Sequence, residues 1–134
     1  MADITATMKL NHLSFPSTDA PATASFFEKH LGCSSTPFGA SRLLKRPGFD
    51  IVIEDASART VAWPDNFHLG FELPTANDVH ELYARFKADG VEMETDVVSH
   101  VRGTRFFCRA PGGVMFEINT RADAAEQYRG TFDN

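Results

Sequence analysis

The chain has 134 residues and carries 13 basic against 18 acidic side chains, a formal charge of -5. That length is one ordinary domain or two small halves sharing a core, and the acidic balance, with no long basic run, argues against a nucleic-acid partner. Hydrophobic residues make up 43%, twelve of them Phe, enough to fill an interior, while no apolar run approaches membrane-spanning length. The opening stretch MADITATMKLNH lacks the hydrophobic region of a secretory signal. Cys33 and Cys108 lie far apart in a chain large enough to need no staple. Two free thiols in a reducing, cytoplasmic compartment are expected.

Taken in chain order, the elements repeat. "NHLSFPSTDAPATASFFEKHLG" runs from Asn11 to Gly32, and "FHLGFELPTANDVHELYARFKADG" from Phe67 to Gly90. Each opens on a short strand, HLSF or HLGF, reaches a proline and a polar cap, continues as a helix and closes on glycine. Thr18 or Asp19 can cap the first helix, with Pro21 in its first turn. Thr75 and Asp78 have the spacing of a capping box. Val79, Leu82, Tyr83 and Phe86 form one apolar stripe at helical spacing; Phe26, Phe27 and Leu31 are its shorter counterpart. Gly32 and Gly90 suit the left-handed position after a helix.

Three strands are predicted after each glycine: Ser34–Phe38, Ser41–Arg46 and Phe49–Glu54, then Glu92–Val97, Thr104–Arg109 and Val114–Asn119. RPGF and APGG supply the turn before the last strand of each half. Asp55 to Asn66 reads as a linker. The expectation is an α+β domain over residues 1–134, with repeat halves at approximately 8–55 and 66–120. Two βαβββ modules, eight strands in all, would form one curved mixed sheet around a cavity, with the helices outside.

Alternation along the strands assigns faces. Val114, Phe116 and Ile118 share one face of the last strand; Met115, Glu117 and Asn119 share the other. Phe67, Leu69, Phe71 and Leu73 oppose His68, Gly70 and Glu72. Leu13 and Phe15 oppose His12 and Ser14. His12, His68 and Glu117 therefore point away from the helix-covered face, toward the expected cavity. Two imidazoles and a carboxylate are a ligand set for one divalent ion per chain, with Zn, Fe, Ni, Co or Mn all compatible, and three protein ligands leave a position for water or substrate. The simpler reading of Glu117 is a solvated carboxylate on a half-exposed strand.

The first module offers a fourth position. Matching RPGF to APGG without a gap aligns Ile53 with Glu117. Matching by hydrophobic face turns Asp50, Val52 and Glu54 toward the cavity. The face match is followed, because a one-residue slip inverts every side chain of a strand. It leaves Val52 at the depth of Glu117 and Glu54 as the alternative donor. Arg105 shares a face with Phe107 and Arg109, and reads either as a surface ion pair or as a guanidinium gripping an anionic substrate. Phe38, Phe107 and Tyr83 are candidate pocket walls or plain packing. His30 and His80 are expected on solvated helix faces, and His100 in an exposed turn.

With LNHLSF, FHLGFEL, the capped helices and GTRFFCRAPGGVMFEI in place, the chain from about Lys9 to Asn119 resembles the vicinal oxygen chelate superfamily. That group includes glyoxalases, bleomycin-resistance proteins and extradiol dioxygenases. The resemblance implies metal ligands at His12, His68 and Glu117, and a small substrate presenting vicinal or ionised oxygen. It implies lyase, isomerase, transferase or dioxygenase chemistry, with Glu117 able to serve as a catalytic base as well as a ligand. Ala110 stands where many members carry Asp in the turn before the last strand. A homodimer is expected, as is common for small folds of this kind. The alternative is a metal-free protein of the bleomycin-resistance type that sequesters a small molecule or antibiotic.

Overall fold

The computed structural model describes residues 3–133. The chain falls into two compact units, Met1–Ala62 and Trp63–Asn134, each built on the predicted plan. In the first, β1 (His12–Ser17) leads into α1 (Ala20–Leu31), followed by β2 (Ser34–Phe38), β3 (Ser41–Lys45) and β4 (Asp50–Asp55). In the second, β5 (His68–Glu72) leads into α2 (Ala76–Ala88), followed by β6 (Glu92–Met93), β7 (Val98–His100), β8 (Gly103–Arg109) and β9 (Met115–Asn119). Short 3-10 helices lie at Ile4–Thr7 and Glu126–Tyr128. The class is α+β as expected.

Each unit carries its own mixed sheet, ordered β1-β4-β3-β2 and β5-β9-β8-β6, with β7 paired to β8. The segment expected as one strand, Glu92–Val97, pairs with β8 only at Glu92 and Met93. Pairing resumes at Val98 as the separate strand β7, so the described residues hold nine strands rather than eight. Between these strands, Glu94 and Thr95 both donate backbone N–H to the Phe107 carbonyl. Two residues meeting one partner is the signature of a bulge, which ends a regular ladder.

The helix ends follow from local chemistry. Asp19 caps α1 by accepting from the Ala22 N–H at 3.1 Å, and Gly32 closes it in the left-handed region at φ 68. Thr75 and Asp78 form the reciprocal capping box on α2, with bonds of 3.1 and 3.2 Å. Loss of such a cap costs about 1 kcal/mol. α2 packs its stripe on the apolar face of β8 and β9. Phe86 meets Phe106 and Phe116 edge-on, with ring centroids 6.0 and 6.2 Å apart. All three are fully buried, and burial of each stabilises the unit by roughly 1.5–3 kcal/mol. Phe15, Phe27, Leu44, Ile51 and Ile53 form the corresponding core of the first unit.

One glycine is dictated by contact. At Gly103, φ is +115 and an added Cβ would lie 1.9 Å from the Thr120 carbonyl oxygen. That close approach lets the segment after β9 lie across the β7–β8 hairpin, where Asp123 accepts from the Thr104 N–H and hydroxyl.

Both cysteines are free thiols, buried in separate units. Burial pushes the Cys108 thiol up to about 12, because the thiolate has no solvent or counter-charge to hold it. Cys108 is therefore expected to resist an aromatic disulfide reagent at pH 8 in the folded protein and to react promptly in denaturant. Rapid labelling of Cys108 in the native state would show that α2 opens from the sheet.

Candidate functional site

The face of β5 and β9 opposite α2 holds the polar residues that alternation assigned to it. His68, Gly70, Glu72, Glu117 and Asn119 line a cavity of about 320 Å³, with Phe132 of the tail at its edge. Parallel pairing sets Gly70 against Glu117 and Glu72 against Asn119. A Cβ at position 70 would lie 3.6 Å from Asn119 Nδ2 and 3.7 Å from Glu117 Oε1. Glycine leaves that volume open beside the carboxylate. The cavity is at the small end of the range for ligand sites.

His68 is held in one tautomer. Its Nδ1 lies 2.7 Å from the Asn66 carbonyl oxygen. A carbonyl can only accept, so Nδ1 carries a proton, and in the neutral ring Nε2 is then the nitrogen with the lone pair. The Phe107 ring meets the imidazole edge-on at 5.1 Å and 84°. Asn66 itself sits at φ 63, a left-handed conformation that Asn tolerates better than most residues. His12 repeats the arrangement in the first unit: its Nδ1 lies 2.6 Å from Asn11 Oδ1, which again leaves Nε2 as the donor atom.

Glu117 is 9% exposed. The reading of a solvated surface carboxylate is therefore set aside. Asn119 Nδ2 donates to its Oε1 at 2.7 Å. Arg105 Nε lies 4.0 Å from its Oε2, at the outer limit of an ion pair, and the Arg105 side chain is one-quarter exposed. Arg109, four residues along the same face, is different. Its Nε bonds Glu94 at 2.9 Å and its Nη1 bonds the Gly113 carbonyl at 2.9 Å. Arg109 is saturated by protein groups, whereas Arg105 is not.

In the first unit, His12, Ser14, Asp50, Val52 and Glu54 line a cavity of about 680 Å³ together with Phe38. β1 pairs with β4 in parallel, setting Ser14 against Val52. Since Ser14 and Gly70 each follow their histidine by two residues, Val52 is the counterpart of Glu117, and Glu54 that of Asn119. The position equivalent to the Glu117 carboxylate is thus an isopropyl group. Asp50 is engaged by Lys45, whose ammonium 2.5 Å away holds its carboxyl below the usual range.

Other sequence candidates fall elsewhere. The Tyr83 hydroxyl donates to Asp96 at 2.7 Å, and its ring packs on Phe106 under α2, so it is packing and not a cavity wall. His30 is half-buried against Phe26, 4.7 Å between ring centroids, rather than fully solvated. His80 and His100 are exposed, as expected. Among the described residues no three His, Cys, Asp or Glu side chains come together as a metal-holding group. Sequence reasoning assigned no role to Gly70, Asn119, Asn66 or Phe132. Alternation placed the first two on the right face, but nothing local marked the others.

The sequence model of the Glyoxalase/Bleomycin resistance protein/Dioxygenase superfamily matches residues 9–118. No curated protein shows significant sequence similarity to the chain. Among solved structures, a possible glyoxalase from Bacillus cereus is similar at a TM-score of 0.72 and 25% identity, over 84% of this chain and 99% of that one. The genomically encoded fosfomycin resistance protein FosX of Listeria monocytogenes gives 0.73 and 20%, over 91% and 98%. A lactoylglutathione lyase from Agrobacterium tumefaciens gives 0.68 and 16%, over 83% and 92%. The last two speak for the fold alone.

The hydrogen bond to Asn66 predicts that long-range proton–nitrogen spectra at pH 8 will show His68 as the Nδ1–H tautomer. Phe107→Ala should leave the tautomer in place but broaden the imidazole signals as the ring loses its edge contact. An Nε2–H signal for His68 in the wild type would overturn the assignment of Nε2 as the free donor.

Proposed function

The chain belongs to the glyoxalase/bleomycin resistance protein/dioxygenase superfamily, and on that premise we propose that it is a divalent-metal-dependent enzyme acting on a small, oxygen-chelating, anionic substrate. His68 and Glu117 are two of the metal donors, and His12, the repeat counterpart of His68, offers the same nitrogen in the first unit. The observation that carries the reading is the shared tautomer. Each histidine has Nδ1 tied to an oxygen acceptor, at 2.6 and 2.7 Å, which leaves Nε2 unprotonated for a cation. Metal-ligating histidines are oriented in this way.

The donor chemistry fits such an ion. Imidazole nitrogen and carboxylate oxygen suit Zn, Fe, Ni, Co or Mn, and Gly70 leaves room beside the carboxylate. When bound, a divalent ion supplies Lewis acidity toward a substrate oxygen. The chain's own residues do the rest. Arg105, with its guanidinium poorly satisfied at 4.0 Å from Glu117, binds the anionic group of the substrate. Glu117 accepts the proton that the substrate releases, its Oε2 being the oxygen that Asn119 leaves unbonded. Phe107 holds the His68 ring by its edge-on contact. The small cavity favours a compact substrate.

Calorimetric titration of the metal-free protein with zinc, nickel, cobalt, manganese and anaerobic ferrous iron tests the reading. One ion per chain is expected, bound more weakly as pH falls, since ligating imidazoles must be unprotonated. Glu117→Gln keeps size and removes charge; it should lower affinity at least about tenfold, equivalent to about 1.4 kcal/mol. Equal affinity of the two proteins for every metal would reject the site and leave a metal-free sequestering protein. Arg105→Met should leave metal content intact and raise KM, or the ligand dissociation constant, by roughly tenfold or more, as loss of a charge-assisted contact does. An effect under twofold on an anionic substrate would remove Arg105 from the site.

A further inference from the structure

Asn119 is 2% exposed, yet only half of its amide is used. Nδ2 donates to Glu117 Oε1 at 2.7 Å, while Oδ1 is buried with no hydrogen-bond partner. Turning the amide over would not help. It would set Oδ1 against the carboxylate oxygen, acceptor against acceptor, and strand Nδ2 instead. The carboxylate therefore dictates which way the amide points. A buried acceptor without a partner is destabilising, and a leucine of similar shape would carry no such orphan. The stability of the sheet does not account for an asparagine here. Its one bond does.

That bond acts on a side chain that little else restrains. The Arg105 guanidinium is 4.0 Å from Glu117 Oε2, too far for a hydrogen bond. On the β5 side, Gly70 presents no side chain to lean against. Glutamate has three rotatable bonds, and a donor that must meet a cation in one orientation gains from having them fixed before binding. Asn119 lies two residues along the same face of β9, at the same cavity.

We propose that Asn119 is the positioning residue of the site: it fixes the Glu117 carboxylate through Oε1 and leaves Oε2 as the working oxygen. The proposal rests on the metal reading above and deepens it, assigning to a neutral side chain the task of preorganising the anionic donor. Asn119 acts only through Glu117 and touches neither ion nor substrate.

A double-mutant cycle read by zinc titration of the metal-free protein separates the possibilities. Asn119→Leu should lower zinc affinity by about 10- to 100-fold, the usual effect of losing a partner that orients a ligand. In the Glu117→Gln background the same change should alter affinity by less than twofold, because the group it positions is gone. Thermal unfolding checks that the leucine variant is folded; it gains by losing the orphan amide oxygen but loses the donor to Glu117 Oε1, so the affinity cycle and not the melting point carries the test. If the leucine variant does not fold, Asn119→Ala, which removes the donor without adding bulk, goes through the same cycle. Wild-type affinity in the Asn119 variant while Glu117→Gln is impaired would overturn this inference alone. An equal loss in both backgrounds would also overturn it, as a general structural effect. A neutral Glu117→Gln would overturn the metal reading, and this inference with it.

Discussion

Parallel pairing of the first and last strands of each module is the constraint on which the rest depends. β1 lies beside β4 and β5 beside β9, although paired residues are 38 positions apart in the first module (His12 and Asp50) and 47 in the second (His68 and Met115). A parallel pair needs a long connection, here a helix and further strands. The helix returns over one face and buries its apolar stripe there. The opposite face is then left to polar residues, and because side chains alternate, every second residue of both strands lies on it. In the second module this places His68, Gly70 and Glu72 next to Met115, Glu117 and Asn119. The candidate site follows from which face the helix covers.

The two modules show how the same framework carries different chemistry. Each keeps a histidine at the start of its first strand with Nδ1 tied off by a nearby oxygen. The acceptors differ: a side-chain amide oxygen for His12 and a backbone carbonyl for His68. The last strands diverge more. Val52 and Glu54 stand where the second module has Glu117 and Asn119. An isopropyl group cannot donate to a cation or accept a proton. The hydrogen-bonded pair that gives the second module its anionic character therefore has no counterpart in the first. A duplicated fold has kept its imidazoles and divided its carboxylates.

Electrostatics around Glu117 are set by what is withheld. A guanidinium in full bidentate contact would neutralise the carboxylate and compete with any cation, as Glu94 and Arg109 illustrate on the same sheet, where the pair closes to 2.9 Å. Hydrogen bonding between these partners lowers the Glu94 carboxyl and raises the Arg109 guanidinium from their ordinary values. Arg105 stops short of such a contact. Asn119 supplies a neutral donor instead, which supports the ionised carboxylate without cancelling its charge. The site thus keeps a carboxylate and a guanidinium near one another without closing them into a hydrogen-bonded pair.

The sequence by itself determined the elements and the faces. Helix caps, glycine stops and the 3.6-residue stripe of α2 are local, because each depends on hydrogen bonds or contacts within a few residues. Alternation is local too: the pleat sends Glu117 away from Phe116 and Ile118 whatever the strand pairs with. The faces of His12, His68 and Glu117 were legible for that reason. The gapless match of RPGF to APGG would have turned Ile53 to the site, and the hydrophobic pattern corrected it. Tertiary structure alone decided depth and partnership. Register across β1–β4 and β5–β9 depends on ladders between residues far apart in sequence, so it took the paired strands to show Val52 at the Glu117 level. The bond from Asn119 to Glu117 depends on rotamers that no period encodes. The carbonyl that fixes His68 depends on one left-handed residue, Asn66, whose φ is stabilised by the turn around it and not by any repeating pattern. Phe132 reaches the cavity only because the chain after β9 folds back across Gly103, where the absence of a single methyl group lets two backbones meet.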